Sequence, residues 1–103
     1  MKITWHTEAK ASYRQIARYI NGRFGRKTRQ KFLQKVKEAE AMIKHHPEIG
    51  PIDPLFADRP RTYRSVVIDG LSKMVYFVEG DIIYISAFWD CRRDPAAEAD
   101  RMK

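Results

Sequence analysis

Two hydrophobic periods, one in each half of the chain, limit what it can fold into. In the first half Tyr13, Ile16, Ala17, Ile20 and Phe24 recur at i, i+3, i+4, i+7 and i+11. Phe32, Val36, Ala39 and Ile43 repeat the spacing, and Leu33 and Met42 widen the stripe. This period collects apolar side chains on one side of an α-helix. In the second half three β-prone runs, 62–68, 72–78 and 82–88, are broken by Asp69-Gly70 and by Glu79-Gly80-Asp81. Such breaks favour hairpins, because Gly and Asp tolerate the positive φ that tight turns between strands demand. Two helices followed by a three-stranded antiparallel meander is the arrangement these periods dictate.

Weaker signals set the boundaries. Residues 2–5, Lys-Ile-Thr-Trp, alternate polar and apolar and predict a short first strand. Thr7 offers an N-cap oxygen to the first helix, and Glu8 suits its positive first turn. The helix should close between Asn21 and Gly25, and the second should run over about 27–45. Pro47 cannot continue it. A turn at Gly25 this short makes the pair an antiparallel hairpin. Residues 47–60 hold four prolines and one glycine and read as a loop. The runs at 72–78 and 82–88 are apolar on both faces, which places them centrally in the sheet. The expected fold is therefore α+β, in the order β-α-α-β-β-β. A helical hairpin packs on a curled antiparallel sheet, as one domain over residues 1–103.

Charge divides as unevenly as hydrophobicity. The chain carries a formal +7. Residues 1–50 hold twelve Lys/Arg against four Asp/Glu, whereas 51–103 hold eight against nine. Much of the excess forms two helical rows, Lys10/Arg14/Arg18 and Lys27/Lys31/Lys35, each at i, i+4, i+8. Rows of this kind fit a polyanion or an acidic protein partner; they also serve merely to keep a helix surface soluble.

Several classes of function find no support. Cys91 is the single cysteine, so no intramolecular disulfide forms, and its neighbours Asp90 and Arg92 supply no base. The opening MKITWHTEAK lacks the apolar core of a signal peptide. No run nears the ~20 apolar residues needed to cross a bilayer. A soluble, cytoplasmic protein without membrane contact is expected. His45 and His46 are adjacent, so on a helix they point in different directions, and no Cys or carboxylate stands at ligand spacing. Neither a metal nor a cofactor is expected. His6 has no evident partner, and Trp89, Tyr13, Tyr19 and Tyr76 read as core or rim aromatics.

Taken in order, these residues resemble the RelE/ParE superfamily of toxins. The resemblance is carried by Trp5 closing the first strand, by Tyr13-Arg14-Gln15-Ile16-Ala17-Arg18-Tyr19-Ile20, and by Phe24-Gly25 before the second helix. It continues through Pro47 and Gly50, Tyr63-Arg64-Ser65, Lys73-Met74-Val75-Tyr76-Phe77-Val78 and Trp89-Asp90-Cys91-Arg92-Arg93-Asp94-Pro95. It implies the toxin of a type II toxin–antitoxin pair of the plasmid-stabilisation type. Growth arrest would be relieved by a cognate antitoxin wrapped around sheet and hairpin, in a toxin–antitoxin hetero-oligomer; a homodimer is the other assembly to expect.

The resemblance leaves two modes of poisoning. RelE-like members cut mRNA on the ribosome; ParE-like members bind DNA gyrase and stall it without chemistry on nucleic acid. Metal-free RNA cleavage needs a base for the 2′-OH, cations over the developing phosphorane, and a donor to the leaving oxygen. By resemblance Arg64 and Lys73 fall at basic positions of the ribonuclease type, with Arg92 and Arg93 next to a third. However, Val66 stands where another cation is expected, and no Tyr or His follows Asp94. The candidate set, Arg64, Lys73, Arg92 and Arg93, can bind phosphate without cutting it. Its plainer reading is solvated strand residues and surface ion pairs. The missing groups favour the gyrase mode over the endoribonuclease. A third reading is a non-toxic, basic nucleic-acid-binding relative whose contacts lie on the two helical rows.

Overall fold

The computed structural model describes residues 1–90. Its elements are β1 (Lys2–Trp5), α1 (Thr7–Phe24), α2 (Arg26–His45), a 3-10 turn (Pro54–Phe56), β2 (Arg64–Ile68), β3 (Ser72–Glu79) and β4 (Ile82–Asp90). The expected element order is thus the observed one. Cys91, Arg92 and Arg93 lie outside the described residues.

The sheet has the order β1-β4-β3-β2. β2, β3 and β4 form the antiparallel meander expected from the two glycine breaks. Asp69 adopts φ 57° and Gly70 φ 70° at the first break, and Gly80 φ 64° at the second. β1 joins the other side of β4 in parallel, with Lys2 to Trp5 in register with Ile82 to Ile85. The sheet is therefore mixed rather than antiparallel throughout. Hairpin signals specify only neighbours in sequence; β1 reaches β4 across the whole chain and carries no such signal.

Gly25 alone joins the helices, ending α1 and starting α2 at φ 95°. That backbone angle is inexpensive only for glycine. At the other end of α1 the cap is His6, not Thr7. His6 is extended, and its N–H donates to the Ile85 carbonyl at 2.9 Å, so entry to the helix is fixed by the sheet. Thr7 is consequently the first helical residue and makes no side-chain cap.

The hairpin buries its apolar stripe on one face of the sheet, here called the inner face. Phe32, Val36, Ala39 and Ile43 of α2 and Ala9 and Ala17 of α1 meet Met74, Tyr76, Ile83, Ile85 and Phe88. Tyr13 and Phe32 lie 5.9 Å apart between the helices, and Tyr13 packs edge-on to Phe88 at 5.5 Å. Trp5 closes this end, its indole N–H donating to Glu40 across 3.3 Å. Burial, and then the charge of Glu40, raise the pKa of Tyr13.

A bulge lets the last strand serve both faces. Val75 pairs with Ala87 but Tyr76 with Ile85, so Ser86 is the extra residue. An inserted residue reverses the alternation beyond it. Ile83, Ile85 and Phe88 then face the helices, while Ala87 and Trp89 face away. On that outer face they meet Val75 and the proline-rich loop, whose Leu55, Phe56 and Tyr63 form a second small core.

Candidate functional site

The candidate cations Arg64 and Lys73 do not come together. Arg64 pairs with Tyr76 on β3, whereas Lys73 pairs with Val67 on β2. Arg64 and Val67 are an odd number of residues apart in one strand, so their side chains leave opposite faces of the sheet. Arg64 joins the inner-face side with Tyr76, and Lys73 stands on the outer face.

Lys73 is moreover engaged. Its Nζ lies 2.7 Å from Asp53 Oδ2, with side-chain exposures of 17% and 2%. The contact is an ion pair in distance rather than a well-directed hydrogen bond. The other carboxylate oxygen accepts the Leu55 N–H at 3.0 Å and so caps the 3-10 turn. The ammonium also lies 5.3 Å from the ring centroid of Trp89. These contacts clasp the loop over the outer face. Asp53 N–H to Tyr63 carbonyl (2.8 Å) and Ser65 N–H to Pro51 carbonyl (3.1 Å) extend that clasp along the edge of β2.

Arg64 is held by carbonyls instead. Its Nη1 donates to Gly50 O at 2.9 Å and Glu48 O at 3.2 Å. Beside it the buried Tyr76 hydroxyl accepts from Gly50 N–H at 3.0 Å and donates to the Pro47 carbonyl at 2.7 Å. Burial raises the Tyr76 pKa. Gly50 has no room for a side chain, since a Cβ would lie 2.8 Å from the Tyr76 hydroxyl and 2.9 Å from the Ser65 carbonyl. Arg64 thus borders a cleft of about 700 Å³ between the end of α2 and the ends of β2 and β3, with His45, His46 and Arg61 on its walls.

The helical rows are exposed. Lys10, Arg14, Arg18, Lys27 and Lys31 all face solvent. Lys35 is different: its ammonium pairs with Asp69 at the β2–β3 turn, and this hydrogen bond raises its pKa. Beside α1 runs a second groove of about 370 Å³, lined by Ile16, Tyr19, Ile20, Phe24 and Leu71 together with the polar Ser12, Gln15, Ser72 and Asp90. Tyr19, Phe24 and Leu71 are each more than half exposed, at 51%, 61% and 54%. Contiguous exposed apolar surface of this kind marks interaction sites.

Asp53, Gly50 and the Tyr76 hydroxyl were not singled out from the sequence as a group. Four prolines compressed between helix and strand report a fixed loop, and Gly50 and Tyr76 enter through the family resemblance, but neither signal shows what fixes the loop. Among the described residues no group of three or more His, Cys, Asp or Glu is placed to hold a metal, and no helix is long and apolar enough to cross a membrane.

Comparison with known proteins agrees with this architecture. A solved structure titled "Chromosomal ParDE TA system from P. aeruginosa" matches with a TM-score of 0.70 at 19% identity, covering 87% of this chain and 95% of that one. No curated protein matches the sequence. The family model described as "ParE toxin of type II toxin-antitoxin system, parDE" matches residues 3–95. This chain belongs to the ParE toxin family of type II toxin–antitoxin systems.

Proposed function

We propose that this chain arrests bacterial growth from the cytoplasm by binding DNA gyrase without cutting nucleic acid, and that a cognate antitoxin neutralises it. The observation that carries the non-catalytic reading is the separation of Arg64 and Lys73. One is bound to carbonyls on the inner-face side, and the other is tied to a buried carboxylate on the outer face. A phosphorane-stabilising site needs its cations converging on one point.

The antitoxin has a fitting seat. The groove along α1, with Tyr19, Phe24 and Leu71 exposed beside polar residues, suits an amphipathic helix or extended segment, and the rows Lys10/Arg14/Arg18 and Lys27/Lys31 supply positive charge for acidic flanks. Lys35 contributes less, being already paired with Asp69.

The test is a supercoiling assay with purified gyrase beside a cell-free translation reaction in which mRNA ends are mapped. Inhibited supercoiling with intact mRNA is expected. Ribosome-dependent cuts with unaffected supercoiling would replace this reading by the endoribonuclease one. Normal growth on expression of folded protein would leave only a non-toxic nucleic-acid-binding relative.

A further inference from the structure

The outer face carries a feature that the proposed function does not use. From the loop-covered half a chain of aromatic rings in contact runs on across the sheet. Phe56 and Tyr63 have centroids 5.1 Å apart, Tyr63 and Phe77 5.5 Å, and Phe77 and Tyr84 5.1 Å with planes only 20° apart. His6, at the end of β1, completes the row at 5.7 Å from Tyr84 and 5.9 Å from Phe77. Phe77 is buried within the row, Tyr63 and Tyr84 are half-buried, and His6 is exposed. A fully sequestered satellite core would not leave three rings at the surface.

Cationic side chains accompany the rings. The Arg61 guanidinium sits 4.4 Å from the Phe77 centroid. Arg61 also lines the 700 Å³ cleft that holds Arg64, His45 and His46. One arginine therefore links an aromatic platform to a cleft lined by a second arginine and two histidines. The cleft is not uniformly positive. Glu48 and Glu79 line it too, and Glu79 lies 3.4 Å from Arg61. An exposed pair at that distance is weak and exchanges readily for a phosphate. The two carboxylates disfavour a bare, densely charged polyanion, so the ligand must gain much of its affinity from stacking.

We infer that this region binds single-stranded nucleic acid, its bases stacking on Tyr63, Tyr84 and His6 and its phosphates passing Arg61 into the Arg64 cleft. Unpaired bases offer the π faces that such a platform takes in any sequence, and a duplex hides them. DNA and RNA share this chemistry. The site is distinct from the helical rows, and the inference does not depend on which cellular machine is the toxin's target.

Fluorescence anisotropy of the full chain with labelled oligothymidylate, oligouridylate and a duplex of equal length tests it. Single strands should bind with a salt-dependent Kd and the duplex more weakly; preference for one single strand would name the source as DNA or RNA. Tyr84→Ala should weaken binding about five-fold or more, whereas Tyr84→Phe, which keeps the ring, should retain it. Arg61→Gln, at an exposed position, should lower the salt slope by about one. Changing Lys10, Arg14 and Arg18 together to Ala should weaken single-strand and duplex binding alike, through net charge, and leave the effect of Tyr84→Ala intact. Duplex binding as tight as single-strand binding, equal competition by inorganic polyphosphate, loss of binding only in the Lys10/Arg14/Arg18 variant, or no binding at all would overturn the inference.

Discussion

Lys73 Nζ stands 2.7 Å from the carboxylate of Asp53, a side chain only 2% exposed, and this pair is the ionic anchor of the proline-rich loop on the outer face of the sheet. It turns a residue that resembles part of a ribonuclease site into a structural clasp. Removing one partner of a buried pair strands the other charge, which costs about 3 kcal/mol or more. Asp53→Ala and Lys73→Met should each lower stability by about that amount in urea denaturation. The double variant should lose less than the sum of the two. Additive losses would show that the two side chains do not act as a pair.

The Tyr76 hydroxyl and Gly50 form a second attachment. Tyr76→Phe leaves the buried Gly50 N–H without its acceptor and should cost about 1–3 kcal/mol. Gly50→Ala should cost at least as much, because its Cβ would meet the Ser65 carbonyl, which is backbone and cannot move aside cheaply. Thermal melts of the two variants and of their combination read this directly. An unchanged Tm for Gly50→Ala would mean that the loop shifts freely.

Burial raises the phenol pKa values of Tyr13 and Tyr76 above the ordinary 10.0. The folded state then holds these protons to higher pH than the unfolded state does. Their contribution to stability is fully present below about pH 10 and is lost as pH rises through the folded-state values. Urea midpoints should therefore begin to fall above about pH 10, and Tyr76→Phe should flatten that fall. A midpoint independent of pH in the alkaline range would contradict the assignment.

Val36 is 1% exposed at the centre of the stripe that α2 lays on the sheet. Val36→Asp would bury an unpaired carboxylate and should abolish folding, read by loss of the cooperative thermal transition. A cooperative melt near that of the parent chain would mean that the helix face has been misassigned.

Charge on the hairpin should act on the rate of antitoxin capture more than on its lifetime. Reversing Lys10, Arg14 and Arg18 to Glu should slow association about tenfold at low salt and much less at high salt, since long-range attraction is screened. Surface plasmon resonance separates the two rates. An unaffected association rate would place the antitoxin's acidic segments elsewhere.

How far the sequence foretells this structure depends on the range of the interaction. The helices, the meander and the two central strands follow from periods of 3.6 and 2 and from glycine breaks, all local properties. The side-chain partners do not. Lys73 and Asp53 are brought together by a loop whose path the sequence does not reveal, and the alternation along β4 reverses at Ser86 without a mark in composition. For Arg64 and Lys73 the residue types are legible but their faces are not, because strand register is settled by pairing rather than by either strand alone. His6 shows the same limit, since its ring contacts come from strands β3 and β4.

The parallel pairing of Lys2–Trp5 with Ile82–Ile85 has a consequence for how the protein is made. β1 waits for β4 before it gains a neighbour, so the sheet of the described residues stays open until β4 has emerged. Until then the helical hairpin carries its apolar stripe uncovered, and closure waits on a contact between distant parts of the chain, which is slow compared with helix formation. The interval between synthesis of the hairpin and arrival of β4 is thus a window in which a partner can meet the helices before the mature toxin exists.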